Sequence, residues 1–481
     1  MSITFNAGKG FAFCLVNYDI MNIVHTENIR RTVLIIAWPV VLRTFLNTFV
    51  QMVDMIMVGK LGATALAAAG LGNQAFFFTI SVVQAFSIGT TTLVAQAVGK
   101  NDMETAKRIA GQSLVAVLLT TFLLSVIIVT FSRQIINGIV YFMPEKDLEM
   151  INLASQYLSI VGISISLRFT IPIVNAIFQG AGNTRTPLYL MIFCNLINVA
   201  GNYLLIFGVG PFPALGVQGA AIATCGAGLL TGVLGIGLLF SRFSPVPLQF
   251  EILELFRLQK QVISGVLSIG IPSAIEQTGI HIAQIAFSMI VASLGTMAIA
   301  AQQIMHTAFT MINLPGIGFS MAATTLVGQF IGADKREEAL KSGMETARLA
   351  LICMSAAGLL FIISPQSIIF LFTKETAVLE LAHTPLILLG LAQPAMSFVN
   401  SLTGGLRGAG DTLWAMYLTL LNMLGVRLLL TLLLVYIGWG LTGVWAAMLV
   451  ETCLRGTFIF LRFKYKIPQV SSLLHSAEEK D

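Results

Sequence analysis

Long apolar stretches, separated by short polar breaks, make up most of the chain. Twelve of them run over 32–58, 65–99, 106–131, 151–180, 186–209, 219–240, 262–292, 298–332, 339–363, 379–406, 413–437 and 442–463. The hydrocarbon core of a bilayer is about 30 Å thick and asks for roughly 20 apolar residues per helix, so each stretch is long enough to cross. The second and eighth exceed a perpendicular crossing, which predicts tilt or a bend. An all-α integral membrane protein of twelve transmembrane helices follows.

The pattern is doubled. Val94-Ala-Gln-Ala-Val-Gly-Lys-Asn-Asp-Met-Glu-Thr-Ala106 returns as Val327-Gly-Gln-Phe-Ile-Gly-Ala-Asp-Lys-Arg-Glu-Glu-Ala339, 233 residues later. The same offset carries Leu61-Gly62 onto Leu294-Gly295 and Pro39 onto Pro272. Further along, Gly180-Ala-Gly-Asn-Thr184 returns as Gly408-Ala-Gly-Asp-Thr412, and the glycine pair Gly216/Gly219 as Gly440/Gly443. Six helices duplicated in one orientation give two pseudo-symmetric six-helix lobes related by an axis along the membrane normal, and in such proteins the substrate site lies between the repeats. The segments expected are an N-terminal cytoplasmic stretch (1–31), a first lobe (32–240), a linker (241–261), a second lobe (262–463) and a C-terminal tail (464–481).

Composition sharpens this picture. Charged residues make up 10% of the chain and apolar ones 56%, against roughly 25% charged in soluble domains, so lipid must cover much of the surface. The net charge of +5 is not a nucleic-acid footprint. With the N-terminus inside, eighteen Lys and Arg fall in inward segments, and only Lys60, Arg133, Lys146 and Lys374 fall outside. By the positive-inside rule both termini are cytoplasmic. The stretch before Met21 lacks the basic front end and small-residue cleavage site of a signal peptide, and translation from Met21 is an alternative start. The five cysteines show no Cys-x-x-Cys spacing and read as small core residues.

The ordered motifs resemble those of the multidrug and toxic compound extrusion (MATE) family, in its NorM-like and DinF-like bacterial branches. They are Pro39, Met52-Val-Asp54-Met-Ile-Met-Val-Gly59, the Val94 and Val327 segments, Phe178-Gln-Gly-Ala-Gly-Asn-Thr184 with its copy from Leu406, Asn195-Leu-Ile-Asn198-Val-Ala-Gly-Asn202, and Gly270-Ile-Pro-Ser-Ala-Ile-Glu276. The resemblance covers about 31–466. It implies two lobes around a central V-shaped cleft that opens to each side in turn, in the bacterial inner membrane. It also implies antiport of small amphipathic organic cations against protons or sodium, by a monomer in contact with membrane lipid and without a cofactor. No Gly-x-x-x-x-Gly-Lys-Ser/Thr phosphate loop is present, in keeping with ion-driven transport.

Buried polar residues supply the candidate chemistry. Asp54 lies late in the first stretch, where a carboxylate costs on the order of 3 kcal/mol and is kept mainly for function. A carboxyl group out of water can exchange its proton near neutral pH. The plain structural alternative is a packing hydrogen bond. Asn198 and Asn202 share one helical face, and the resemblance joins them and Thr224 to Asp54 in an oxygen-rich pocket. Where DinF-like relatives often carry aspartate, this chain has Asn202, which weakens the case for sodium because hard cations favour anionic oxygens. Asn175 is a further candidate, although lone membrane amides more often join helices.

Glu276 and Arg43 occupy equivalent repeat positions. Two readings stand open: an Arg43–Glu276 pair across the cleft, or Glu276 as a substrate or cation contact. The acid that NorM-like members carry in the tenth span has no counterpart here, Met396 standing in its place, so protons at Asp54 are favoured over sodium. Gln51, Gln284, His306 and Asn400 are expected to contact substrate, and the histidines lack the second ligand that a metal would need. Glu451 and Arg455 read as an i, i+4 salt bridge, shared with Arg427. A lipid-linked oligosaccharide flippase is the rival of the same superfamily, but it needs several arginines for pyrophosphate. An intramembrane enzyme would show a motif such as His-Glu-x-x-His, and none is present. A channel is the remaining rival.

Overall fold

The computed structural model describes residues 28–62, 70–71, 76–140, 148–241, 244–248, 259–470 and 472–473. Lys9, Cys14, Met21, Lys146, Arg242, Arg257 and Lys480 lie outside them. Among the described residues there is no strand. Without water in the hydrocarbon core, a backbone must satisfy its own hydrogen bonds, and a helix does so within one segment.

The helices are α1 (Ile29–Gly59), α2 (Phe77–Gly99), α3 (Met103–Ile139), α4 (Leu148–Arg168), α5 (Ile171–Gly180), α6 (Arg185–Phe207), α7 (Gly216–Leu239) and α8 (Lys260–Ala292). They continue as α9 (Thr296–Gly332), α10 (Arg336–Ile363), α11 (Pro365–Phe370), α12 (Thr376–Gly408), α13 (Thr412–Leu420), α14 (Leu428–Tyr436) and α15 (Gly440–Lys466). Among the described residues, eleven segments are long and apolar enough to cross a membrane. The remaining long helix, α8, has 33 residues and spans about 50 Å; Glu276, Gln277, His281 and Gln284 dilute its apolar character. Large apolar side chains stand in the open, among them Leu429, Leu433 and Tyr436 at 66%, 56% and 89% exposure. Water would not tolerate such a surface; lipid does.

Two expected single helices are interrupted. The fourth stretch breaks between α4 and α5, because Pro172 has no N–H and its ring crowds the carbonyl of Arg168. The Thr170 hydroxyl donates to the Leu167 carbonyl at 2.6 Å and satisfies part of the opened turn. The eleventh widens into a π-helical turn at Leu421–Arg427.

The chain divides into two compact units. One gathers the described residues of Leu42–Thr90 and Met103–Leu267, the other those of Ile23–Val41, Thr91–Asp102 and Ser268–Asp481. The division therefore falls inside α1, α2 and α8. In the first unit α7 packs on α6 and α4, and α3 on α4, around a core that includes Ile136, Leu158, Ile165 and Ile206. In the second, α12 packs on α9, α10 and α15.

The sequence repeat is also a backbone repeat. Asn101 and Asp334 both take positive φ, 63° and 56°, a conformation that Asn and Asp tolerate at helix ends. Both are followed by the same bond, Asp102 N–H to the Ala97 carbonyl and Lys335 N–H to the Phe330 carbonyl, each 2.9 Å. The Gln-x-x-Gly motif has a packing reason. In the second unit the end of α2 crosses α9 so closely that a Cβ on Gly99 would strike the Gln329 carbonyl, and one on Gly332 the Gln96 carbonyl. Small residues permit such backbone approaches between membrane helices. The Gln96 amide then donates to the Gly408 carbonyl at 3.1 Å, and the Thr92 hydroxyl to the Arg407 carbonyl at 2.9 Å.

Gly99→Val and Gly332→Val should each cost about 1–3 kcal/mol or more through overpacking, read as a lowered unfolding midpoint in detergent. Gly237→Ala on α7, whose added Cβ meets nothing, should leave the midpoint unchanged.

Candidate functional site

Asp54 lies five residues before the end of α1 and is half-buried. Across from it, α6 presents Asn198 and Asn202 on one face, 7% and 1% exposed. The Asn202 amide donates to Asp54 Oδ1 at 2.7 Å. Turning the Asn198 amide to suit its neighbours lets its nitrogen donate to both Asp54 oxygens at 3.1 Å, and its oxygen then accepts from the Thr224 hydroxyl on α7 at 3.2 Å. A chain of hydrogen bonds thus runs from α7 through α6 to the carboxylate on α1. Its amide nitrogens, rather than amide oxygens, face Asp54. The Asn202 Oδ1 atom is buried without a hydrogen-bond partner, and so is Asn175 Oδ1 on α5.

Arg168 is the cation whose field reaches Asp54. It ends α4 just before the Pro172 break, and its stem lies against Gly228 of α7. Asp54 therefore sits among two amide donors and a guanidinium, with no carboxylate partner among the described residues.

Glu276 on α8 is 3% exposed and its two oxygens are both engaged. Oε2 accepts from Arg407 at the end of α12 at 2.8 Å, and Oε1 from the Thr419 hydroxyl of α13 at 2.9 Å. Of the two readings open for Glu276, the pair with Arg43 is not the contact made here, since both oxygens are taken within the second unit. Arg43 instead lies against Gln179 of α5, whose amide oxygen, suitably turned, accepts from both terminal guanidinium nitrogens at 2.6 and 3.2 Å. Arg43 and Glu276 are equivalent by the repeat, and so are Gln179 and Arg407. The two halves make the same contact with different residue types, each within itself.

The other candidates are dispersed. Asn400 donates to Asn313 on α9 at 2.7 Å, an interhelical amide pair. Gln284 hydrogen-bonds His281 one turn away on α8. Gln51 and His306 are exposed, and Met396 is a buried core residue.

A MatE family model matches residues 39–204 and 272–433, about two thirds of the chain and both copies of the repeat. The chain belongs to the MatE family. It is 29% identical over 449 residues to the probable multidrug resistance protein NorM of Thermotoga maritima, covering 90% of this chain and 92% of that one. It is 27% identical over 440 residues to the uncharacterized transporter YisQ of Bacillus subtilis, covering 90% and 93%. The outward-facing structure of a multidrug resistance MATE family transporter of the MOP superfamily superposes with a TM-score of 0.85 at 19% identity, over 96% of this chain and 99% of that one. That likeness gives the MATE fold.

The MatE matches include Asp54, Asn198, Asn202, Glu276 and Arg407 and stop short of Thr224, Glu451 and Arg455. The structure adds three neighbours that the sequence does not single out: Arg168, whose field reaches Asp54, Arg407 on Glu276 and Gln179 on Arg43. The last two were within reach, because the offset that matches Arg43 to Glu276 and the one that matches Gln179 to Arg407 describe one contact made twice. Arg168 carried no such signal.

Glu276→Gln should strand the Arg407 charge and cost about 3–5 kcal/mol, measured as a fall in the unfolding midpoint. Glu276→Gln combined with Arg407→Gln should recover part of that loss, and exchanging Arg43 with Glu276 should recover none.

Proposed function

We propose that the chain is a secondary active multidrug efflux transporter that exports small amphipathic organic cations in exchange for protons, its two lobes giving access to each side in turn. The membrane is the bacterial cell membrane, with both termini cytoplasmic and the chain working as a monomer without a cofactor. The observation that carries this reading is the environment of Asp54, a carboxylate in a membrane span held by two amide donors and a hydroxyl relay. Such a group can hold either a proton or the attraction for a cation, and it is retained in hydrocarbon at a cost that function must justify.

Export follows from that exclusivity. Asp54 takes a proton while open to the outside, becomes neutral and lets a bound cation go. Opened inward, it gives the proton to the cytoplasm and attracts the next cation. The proton is then the ligand whose differential affinity for the two states drives the cycle. Sodium is the weaker reading, because hard cations favour several anionic oxygen ligands and Asp54 is the one carboxylate of this pocket among the described residues. Asn175, Asn198, Asn202 and Thr224 position and hydrogen-bond the group; Gln51, Gln284, His306 and Asn400 remain substrate contacts on this reading. Glu276, with both oxygens engaged, acts as a structural anion. A flippase reading gains little, since a cluster of free arginines for pyrophosphate is not what surrounds Asp54.

The test is ethidium transport in proteoliposomes under a pH gradient and a sodium gradient imposed separately. The pH gradient alone should drive it, and Asp54→Asn, locked in the neutral form, should insert and fail to transport. Strict sodium dependence, or full activity of Asp54→Asn under the pH gradient, contradicts the reading.

A further inference from the structure

The second half has its own version of the Asp54 pocket, with the charges reversed. At the 233-residue offset Asp54 becomes Phe287 on α8. Thr224, at the offset of the Gly216/Gly440 pair, becomes Met448 on α15, one turn before Glu451. The counterpart of α6 is the run α13–π-turn–α14, and it is longer. Gly182 and Gly410 both take positive φ before these helices, and Gly208 and Gly438 both take it after them. The second interval exceeds the first by two residues, and the π-helical turn at Leu421–Arg427 takes up the excess. Midway through that excess Arg427 falls opposite Asn198. The site that holds a carboxylate among amides in one half therefore holds an arginine beside a phenyl ring in the other.

The geometry bears this out. The guanidinium carbon of Arg427 lies 4.2 Å from the centre of the Phe287 ring. Phe287 packs with Ala283 and Met423, which seats the π-turn against α8. Glu451 and Arg455 stand within electrostatic range of Arg427, but they are already paired with each other, Nε to Oε1 at 2.9 Å. The second Glu451 oxygen accepts from the Thr452 hydroxyl at 3.4 Å. Two guanidiniums thus face one carboxylate. The Nε of Arg427 is buried without a hydrogen-bond partner, and among the described residues no acceptor engages its guanidinium. An aromatic face attracts a cation without neutralising it. A surplus positive charge within a membrane span marks function by default, and π-turns in helices gather at functional sites.

We propose that Arg427, seated on Phe287, forms a second binding site, for a single negative charge: the carboxylate of an aromatic cargo molecule or a small inorganic monoanion. The planar fork of arginine suits a carboxylate in bidentate fashion, and the adjoining ring gives an aromatic acid an apolar neighbour. The site widens the cargo from organic cations to molecules that carry a carboxylate, and it stands independently of the Asp54 chemistry.

The experiment follows the unfolding midpoint of the purified protein in detergent. The protein is titrated with sodium benzoate, with its neutral isostere benzamide, and with sodium chloride, at ionic strength held constant with sodium sulfate. A saturable rise with benzoate and none with benzamide is expected. Arg427→Gln should weaken the apparent benzoate affinity about tenfold or more, and Phe287→Leu by less. Should Arg427→Gln fail to fold, Arg427→Lys keeps the charge and removes the fork, and should weaken benzoate more than chloride. A chloride response that needs Arg427, without a benzoate response, assigns the site to an inorganic anion. No saturable response to either anion overturns the proposal, as does a response undiminished in both the Arg427 and Phe287 variants.

Discussion

A polar group in the hydrocarbon core has no water to complete it, and nearly every feature of this structure answers that condition. The backbone meets it by forming helices throughout the described residues. Hydroxyls meet it by donating to carbonyls one turn back, as Thr121 and Thr231 do at 2.6 and 2.7 Å. Charges meet it by pairing. Glu276 uses both oxygens, Asp411 accepts from Arg462 at 2.8 Å, and Glu451 faces Arg455. Two charged groups with no opposite charge at hydrogen-bond distance among the described residues matter most here. One is Asp54, held by two amides within the field of Arg168; the other is Arg427 on its phenyl ring.

The duplication makes those two places comparable. Arg427 lies on Phe287, the repeat counterpart of Asp54, and the backbone marks that frame the halves, from Asn101 and Asp334 to Gly182 and Gly410, coincide. What differs is the residue type and the length of one helix. A π-turn at Leu421–Arg427 is the physical means by which a repeat that began symmetric places an unlike side chain at a like position.

Span positions, the repeat and the identity of the polar candidates were legible in the sequence because each leaves a linear trace: a run of apolar residues, a motif at fixed offset, a charge where none is tolerated. The fourth stretch reads as one unbroken span in the sequence, and the break before Pro172 with its consequence for Arg168 appears only in the structure. Pairings were less legible. Arg43 and Glu276 were matched because their positions are equivalent, but equivalence relates two copies of a contact and does not create one between them. The contacts run from α1 to α5 and from α8 to α12, between residues more than a hundred apart, and side-chain reach alone decides them. The π-turn left no trace that helical periodicity could resolve.

In the proposed mechanism one carboxylate serves a proton and a cation by turns. The direct measurement is the number of protons released when ethidium binds the purified protein in weakly buffered solution, followed with a pH-sensitive dye. Binding should displace one proton per ethidium from the wild-type chain and none from Asp54→Asn. Ethidium that binds the wild type without releasing a proton, or releases the same number from Asp54→Asn, would contradict it.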